Sequence, residues 1–280
     1  MSLKDLLVLV DATPACAHRV ATAFSLATAF DAHVAALCLV PEPYIPSVAG
    51  ISLPLELVEE QRARAVAEAK ALLDEVASRA KAAGVRLETR SEVAQGDRLA
   101  DVLARQCRHV DLAIVGQPDS AQSMSQDHIL LEAAFMNSGR PALVVPYIGA
   151  RDIPPRTVTI AWDGSREAAR AVNDALPLLA KAKKVIVLVV APERLTGRVG
   201  AAPGADIATH LARHGLAVDV KTVSAAGISV GDALLAAVAD EAADLLVMGG
   251  YGHSRLRELI LGGTTEHLLR HMTVPVLLSH

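Results

Sequence analysis

The chain has 280 residues, 52% of them hydrophobic, 21% charged and 2% aromatic, with a formal net charge of -4 and a pI near 6.2. That length makes one large domain or two small ones, at roughly 100–200 residues per domain, and the acidic balance with so few aromatic side chains excludes the basic footprint and stacking platforms of a nucleic-acid binder. The longest apolar run, Val185 to Ala191, is about a third of the ~20 residues of a membrane span.

Read in chain order, the first apolar run is Leu6 to Val10, closed by Asp11. Ala15-Cys16-Ala17 imitates the cleavage site of a secretory leader, but the run is shorter than the roughly 7–15 residues of a leader core. It reads as a strand. A second strand, "HVAALCLVPEP" from His33, ends at proline. The Pro-rich stretch Pro41 to Pro54 then leads into an alanine-rich helix, Glu56 to Ala83, whose charged residues fall on its outer side. The segments "AGVRLET" from Ala83, "GDRLADVLA" from Gly96, "VDLAIVG" from Val110 and "RPALVVPY" from Arg140 complete the first half.

Each block then recurs in the same order. "VTIAWDGS" at 158–165 answers "LLVLVDAT" at 6–13, and "KVIVLVVAPER" from Lys184 answers the second strand. "HGLAVDV" from His214, "GDALLAAVA" from Gly231, "ADLLVMGG" from Ala243 and "VPVLLSH" from Val274 follow. The Pro41–Pro54 insertion and long helix of the first half are replaced by a loop, Thr196 to Gly204, and a shorter helix toward His214. A repeat of this kind decides for two domains, residues 1–147 and 156–280, joined by "IGARDIPPR" near Ile148 to Pro155.

Short Val/Ile/Leu runs without alternation, separated by helices, predict α/β domains: two tandem, doubly wound, Rossmann-like five-stranded parallel sheets. Such sheets bind ligands beyond the carboxyl ends of their strands, where the strand order reverses. The segment after "ADLLVMG" has the spacing G-x2-G-x9-G from Gly249 through Gly252 to Gly262, followed by Gly263, Thr264 and Thr265. A glycine turn lets backbone N–H groups approach a phosphate, and a helix N-terminus just beyond it favours an anion. The spacing is neither a P-loop nor a dinucleotide fingerprint, because Arg255 stands where the latter's third glycine would be.

With this loop, the repeat and Asp163 in "AWDGS", the chain resembles the tandem universal stress proteins, two UspA-type domains in one polypeptide. The resemblance implies an adenine nucleotide alpha hydrolase-like fold, with the halves packed as a pseudo-dimer through their last strands, Ala142 to Val145 and Val276 to Leu278. It also implies ATP, with Mg2+ on its phosphates, in the second half. Ala161, Trp162, Asp163, Val190, Ala191 and Met248 would lie about the strand ends and adenine. Gly249, Tyr251, Gly252, His253, Gly262, Gly263, Thr264 and Thr265 would lie about ribose and phosphates. Where the family has Ser or Thr directly after the third glycine, this chain has Gly263, a loss of roughly 0.5–1.5 kcal/mol, or up to ~3 if charge-assisted.

In the first half, Asp11 is kept but "IVGQPDSAQSMSQDHILLEAAF" retains only Gly116 of the loop glycines, and aligning Pro141 with Pro275 puts His128 and Ile129 where Gly262 and Gly263 stand. This half reads as a non-binding copy, giving one nucleotide per chain. The implied function is a nucleotide-dependent stress-response protein with little or no turnover, assembling as a dimer of tandem chains and acting on a protein partner. A nucleotide-free scaffold and a slow ATP-hydrolysing enzyme are the alternatives.

Other chemistries are less well supported. The pairs His210/His214 and His267/His271 have helical i, i+4 spacing but no accompanying H-E-x-x-H glutamate. Ser165 and Ser254 sit in turns without a G-x-S-x-G elbow. Arg255 and Arg257 either balance phosphate charge or solvate a helix. Cys16, Cys38 and Cys107 are widely spaced, with no C-x-x-C; they read as small core residues in a reducing cytoplasm.

Overall fold

The computed structural model describes residues 2–42, 55–118, 126–148, 153–191, 204–250 and 263–280. In the first half β1 (Asp5–Val10), α1 (Cys16–Phe30), β2 (His33–Pro41), α2 (Leu55–Ala83), β3 (Leu87–Ala94), α3 (Leu99–Cys107), β4 (Leu112–Gly116), α4 (Gln126–Glu132) and β5 (Ala142–Val145) follow one another. α4 runs on into a π-helical turn, Ala133–Asn137. The second half repeats the order with β6 (Thr157–Ala161), α5 (Arg166–Leu179), β7 (Lys184–Ala191), α6 (Ala205–Arg213), β8 (Val218–Ser224), α7 (Val230–Asp240), β9 (Leu245–Gly249), α8 (Thr264–His271) and β10 (Val276–Ser279). Most of the Pro41–Pro54 insertion, most of Thr196–Gly204 and the middle of the linker lie outside the described residues.

The strands join in the order β3-β2-β1-β4-β5-β10-β9-β6-β7-β8. Each half is therefore a five-stranded parallel sheet whose order reverses between its first and fourth strands, the predicted α/β fold. The apolar runs explain it: in β1, Leu6, Val8 and Val10 pack into one core cluster and Leu7 and Leu9 into the other. With a two-residue period, only a strand covered on both faces buries all five. α1, α2, α5 and α6 supply one covering layer, through residues such as Val20, Leu73, Val172 and Leu211. α3, α4, α7 and α8 supply the other, through Leu103, Leu131, Leu234 and Leu268. Both clusters draw on both halves.

The halves meet as the resemblance implies. β5 and β10 pair antiparallel, Val276 opposite Val144, Leu277 opposite Leu143 and Leu278 opposite Ala142, so two parallel sheets fuse into one. The seam is pseudo-twofold. Beyond it, Gln117 N–H donates to Val145 O and Gly250 N–H to Ser279 O, each at 2.9 Å. The side chains that cross it correspond as well. Gln117 reaches the Leu269 carbonyl on α8, while Phe135, which occupies the position equivalent to Leu269, lies against Gly250, where a Cβ would stand 2.5 Å from Phe135 Cε2. Exchange of contacts between equivalent positions is the mark of an isologous interface.

At the far edge of the second half, Glu241 follows α7 and accepts from Lys221 Nζ at 2.8 Å and Lys184 Nζ at 2.9 Å, tying the edge strand β8 to β7 and α7. The Lys221 and Lys184 hydrogen bonds hold its carboxyl below the ordinary carboxylate value. The folded pKa thus lies under the unfolded one, so this clamp is complete at neutral pH and fades as pH falls through the depressed value. Glu241→Gln is expected to be less stable than wild type at pH 7, with the gap closing in acid. Urea unfolding across that range checks it, and a pH-independent gap would refute the assignment. Among the described residues no helix is long and apolar enough to cross a membrane.

Candidate functional site

The topology places a candidate site in each half, between the carboxyl ends of β1 and β4 and between those of β6 and β9. In the second half, Ala161 ends β6, Val190 and Met248 are the penultimate residues of β7 and β9, and all three join the same apolar cluster. Met248 is 6% exposed; Ala161 and Val190 are half-buried. Trp162 packs against the opposite cluster, and its N–H donates to Leu188 O at 2.9 Å. Ala191 ends the β7 ladder opposite Ser224.

The turn after β6 is built by local hydrogen bonds. Asp163 Oδ1 accepts the Ser165 N–H at 2.9 Å, an Asx turn in which Gly164 has φ +76°, a conformation that favours glycine. Ser165 caps α5, its Oγ accepting the Ala168 N–H at 3.1 Å. Asp163 itself is exposed, and its second oxygen has no partner among the described residues. Glu167, 4% exposed, bonds Arg166 Nε at 2.5 Å. Burial pushes its carboxyl up, but the Arg166 hydrogen bond, its own backbone N–H and the charges of Arg166 and His280 prevail and hold it low.

Gly249 has a packing role that the sequence reading did not assign. A Cβ there would lie 2.6 Å from both Ala168 N and Glu167 C, so the absence of a side chain lets the first turn of α5 rest on the end of β9. Gly250, the next residue, accepts from the His280 ring Nδ1 at 3.0 Å. Gly263 caps α8 with φ -62° and ψ 159° and without a side-chain hydrogen bond. Thr264 opens the helix half-buried and Thr265 is buried. Tyr251, Gly252, His253, Arg255, Arg257 and Gly262 lie outside the described residues.

The first-half site is built differently. Asp11 Oδ1 accepts the Thr13 N–H at 2.9 Å and the Thr13 hydroxyl, while Oδ2 pairs with Arg19. Arg19 is 4% exposed, and its Nε donates to Leu9 O at 3.1 Å. Its guanidinium lies over Gly116, where a Cβ would be 2.4 Å from Nη1. A cleft of about 460 Å³ remains, with Asp11, His18, Gln117, Asp127 and Tyr147 among its walls. His128 is buried and Ile129 exposed, both inside α4.

Sequence reasoning missed Arg19 and Gln117. Arg19 carried a usable signal: it shares a helical face with Val20, Ala23 and Ala27, all buried, and a cation on such a face needs an internal partner. The histidine pairs are accounted for by protein contacts. His267 Nε2 meets Asp232 Oδ1 at 2.8 Å, His271 Nδ1 meets the His267 carbonyl at 2.8 Å, and the His210 and His214 rings stand edge to face at 4.9 Å. Cys38 and Cys107 are buried. Burial, with help from Asp11 and Cys16, pushes the Cys38 thiol up to about 11, and burial pushes Cys107 up to about 12.

Taken together, the fold is a tandem α/β chain with a switch point in each half; Arg19 pairs with the strand-end aspartate of the first, and the strand-end aspartate of the second is exposed. Residues 155–280 match the universal stress protein family. Over 98% of its length the chain is similar to a universal stress protein of Archaeoglobus fulgidus, at 17% identity, 95% coverage of that chain and a TM-score of 0.73. A putative universal stress protein of Pseudomonas aeruginosa matches over 99% of this chain and 93% of its own, at 17% identity and a TM-score of 0.62. Universal stress protein Slr1230 of Synechocystis is 55% identical over 38 residues, 14% of this chain and 13% of that protein, so the chain spans about an eighth of the curated relative it matches. The second half thus matches the universal stress protein family, the first half repeats its fold, and over its whole length the chain is similar in fold to these two universal stress proteins.

Proposed function

We propose that the second half holds an adenine nucleotide, ATP in the first instance, at the ends of β6, β7 and β9, and that the first half holds none. The observation that carries this reading is the contrast between the strand-1 aspartates. Among the described residues Asp163 keeps an oxygen without a partner, whereas both oxygens of Asp11 are engaged by Thr13 and Arg19. In the second half, Ala161, Val190 and Met248 offer an aliphatic slot for a base, and the N–H groups of α8 past Gly263 suit phosphate. Asp163 would face ribose or the Mg2+ carried by the phosphates. The residues present fit such a ligand; among the described residues none is a positioned base for hydrolysing it.

ATP acts here as a bound effector. It shifts the chain between states that differ in affinity for it, and so governs a partner protein or association of two chains in the cytoplasm. Calorimetric titration with ATP is expected to give about one site per chain. Asp163→Ala is expected to weaken it by about ten- to hundredfold, the range of a charged hydrogen bond. A stoichiometry of two would overturn the assignment of the first half. No heat at all would favour the scaffold reading, which the missing hydroxyl at Gly263 motivates, and sustained phosphate or pyrophosphate release that is abolished in Asp163→Ala would make the chain an enzyme.

A further inference from the structure

Gln117 belongs to both halves at once. It follows Gly116 at the end of β4 and lines the first cleft, yet its Nε2 donates across the seam to the carbonyls of Leu269 at 2.8 Å and Arg270 at 3.3 Å. These lie in the last turn of α8, where carbonyls have no partner within the helix. Its Oε1 accepts the Tyr147 N–H at 3.3 Å, so the amide is held by the end of the first half while it caps a helix of the second. The side chain is 8% exposed, and a donor lost from so dry a place leaves its acceptors unsatisfied. The other end of α8 carries Gly263, Thr264 and Thr265. Its eight residues span ~12 Å, one rigid element between Gln117 at the first cleft and the candidate site of the second half.

We propose that Gln117 is a positioning residue for the nucleotide end of α8, so that the first domain sets the ligand affinity of the second through this helix. The inference rests on the nucleotide reading above. A short helix responds as a unit: releasing its last turn frees its first turn to shift, and the N–H groups there lose their fixed aim. Anything seated in the first cleft lies beside the same amide, so occupancy there is read at the same carbonyls. Gly250, the equivalent residue of the second half, has no side chain to hold α4 in return, and the coupling therefore runs in one structural channel.

The test uses the full chain with Gln117→Ala and Gln117→Glu. Hydrogen exchange of residues 264–271 without nucleotide is expected to quicken about fivefold or more in both variants while β1 and β6 are unchanged. ATP dissociation constants are expected to rise about three- to tenfold in Gln117→Ala, and further in Gln117→Glu, whose carboxylate meets two carbonyls without a proton to donate. Wild-type affinity in Gln117→Glu would make space-filling the explanation and overturn the proposal. Faster α8 exchange with unchanged ATP affinity would overturn the coupling and leave the nucleotide reading intact. A wild-type chain that binds no ATP would overturn that reading and the affinity claim with it; unchanged α8 exchange would overturn the positioning role alone.

Discussion

Gly249→Ala is expected to lower the unfolding free energy by about 1–3 kcal/mol, and Gly249→Val by more. The new Cβ would stand 2.6 Å from two backbone atoms of α5 and 2.8 Å from Glu167 Cβ, and backbone in the first turn of a capped helix cannot step aside as a side-chain tip can. The modest gain that alanine brings by restricting the unfolded chain, about 0.4–1 kcal/mol, is too small to offset this. Gly96→Ala is the control, since a Cβ there meets nothing within 4 Å; its effect should stay within about 0.5 kcal/mol. Urea unfolding without nucleotide separates two roles for Gly249. If it served phosphate approach alone, Gly249→Ala would match wild type in stability and differ only in ATP affinity.

The second large effect is expected at Arg19. Arg19→Met keeps an unbranched side chain but removes the charge that faces Asp11 and the donor to the Leu9 carbonyl. Breaking a buried ion pair costs about 3–5 kcal/mol. The Asp11 side chain is 39% exposed, so water takes up part of the loss, and about 2–3 kcal/mol is the expected figure. A double-mutant cycle with Asp11→Ala sharpens the test, because the carboxylate left behind by Arg19→Met is absent from the double variant. The double variant should therefore be less destabilised than the sum of the singles. Strict additivity would mean that the pair contributes nothing and that Arg19 acts only through Leu9 and packing.

The fold was legible because its determinants are local and doubled. Runs such as Leu6–Val10 and Val185–Ala191 carry the buried-strand signal within a few residues, and the repeat supplies each twice. The seam strands, Ala142–Val145 and Val276–Leu278, were legible as strands from their matched blocks, but their role as the seam came only from the resemblance to universal stress proteins. The position of Asp163 in the turn after β6 was legible because one element suffices. The site was opaque where two distant segments meet. Gly249 reads as a phosphate-loop glycine until the first turn of α5 is seen resting on it, and no spacing announces that. Gln117 finds its partner 152 residues along the chain, across a contact that exists only once the halves have joined.

The antiparallel pairing of β5 with β10 has a geometric outcome for whatever the chain meets. Every strand of one half points against every strand of the other, so the two sets of strand carboxyl ends lie at opposite margins of the sheet. A partner that covers the strand ends of the second half leaves the first cleft bare, and the reverse holds for a partner at the first. Two sequence-related mouths thus face away from each other, and a single chain can serve as a bridge with a different occupant at each end.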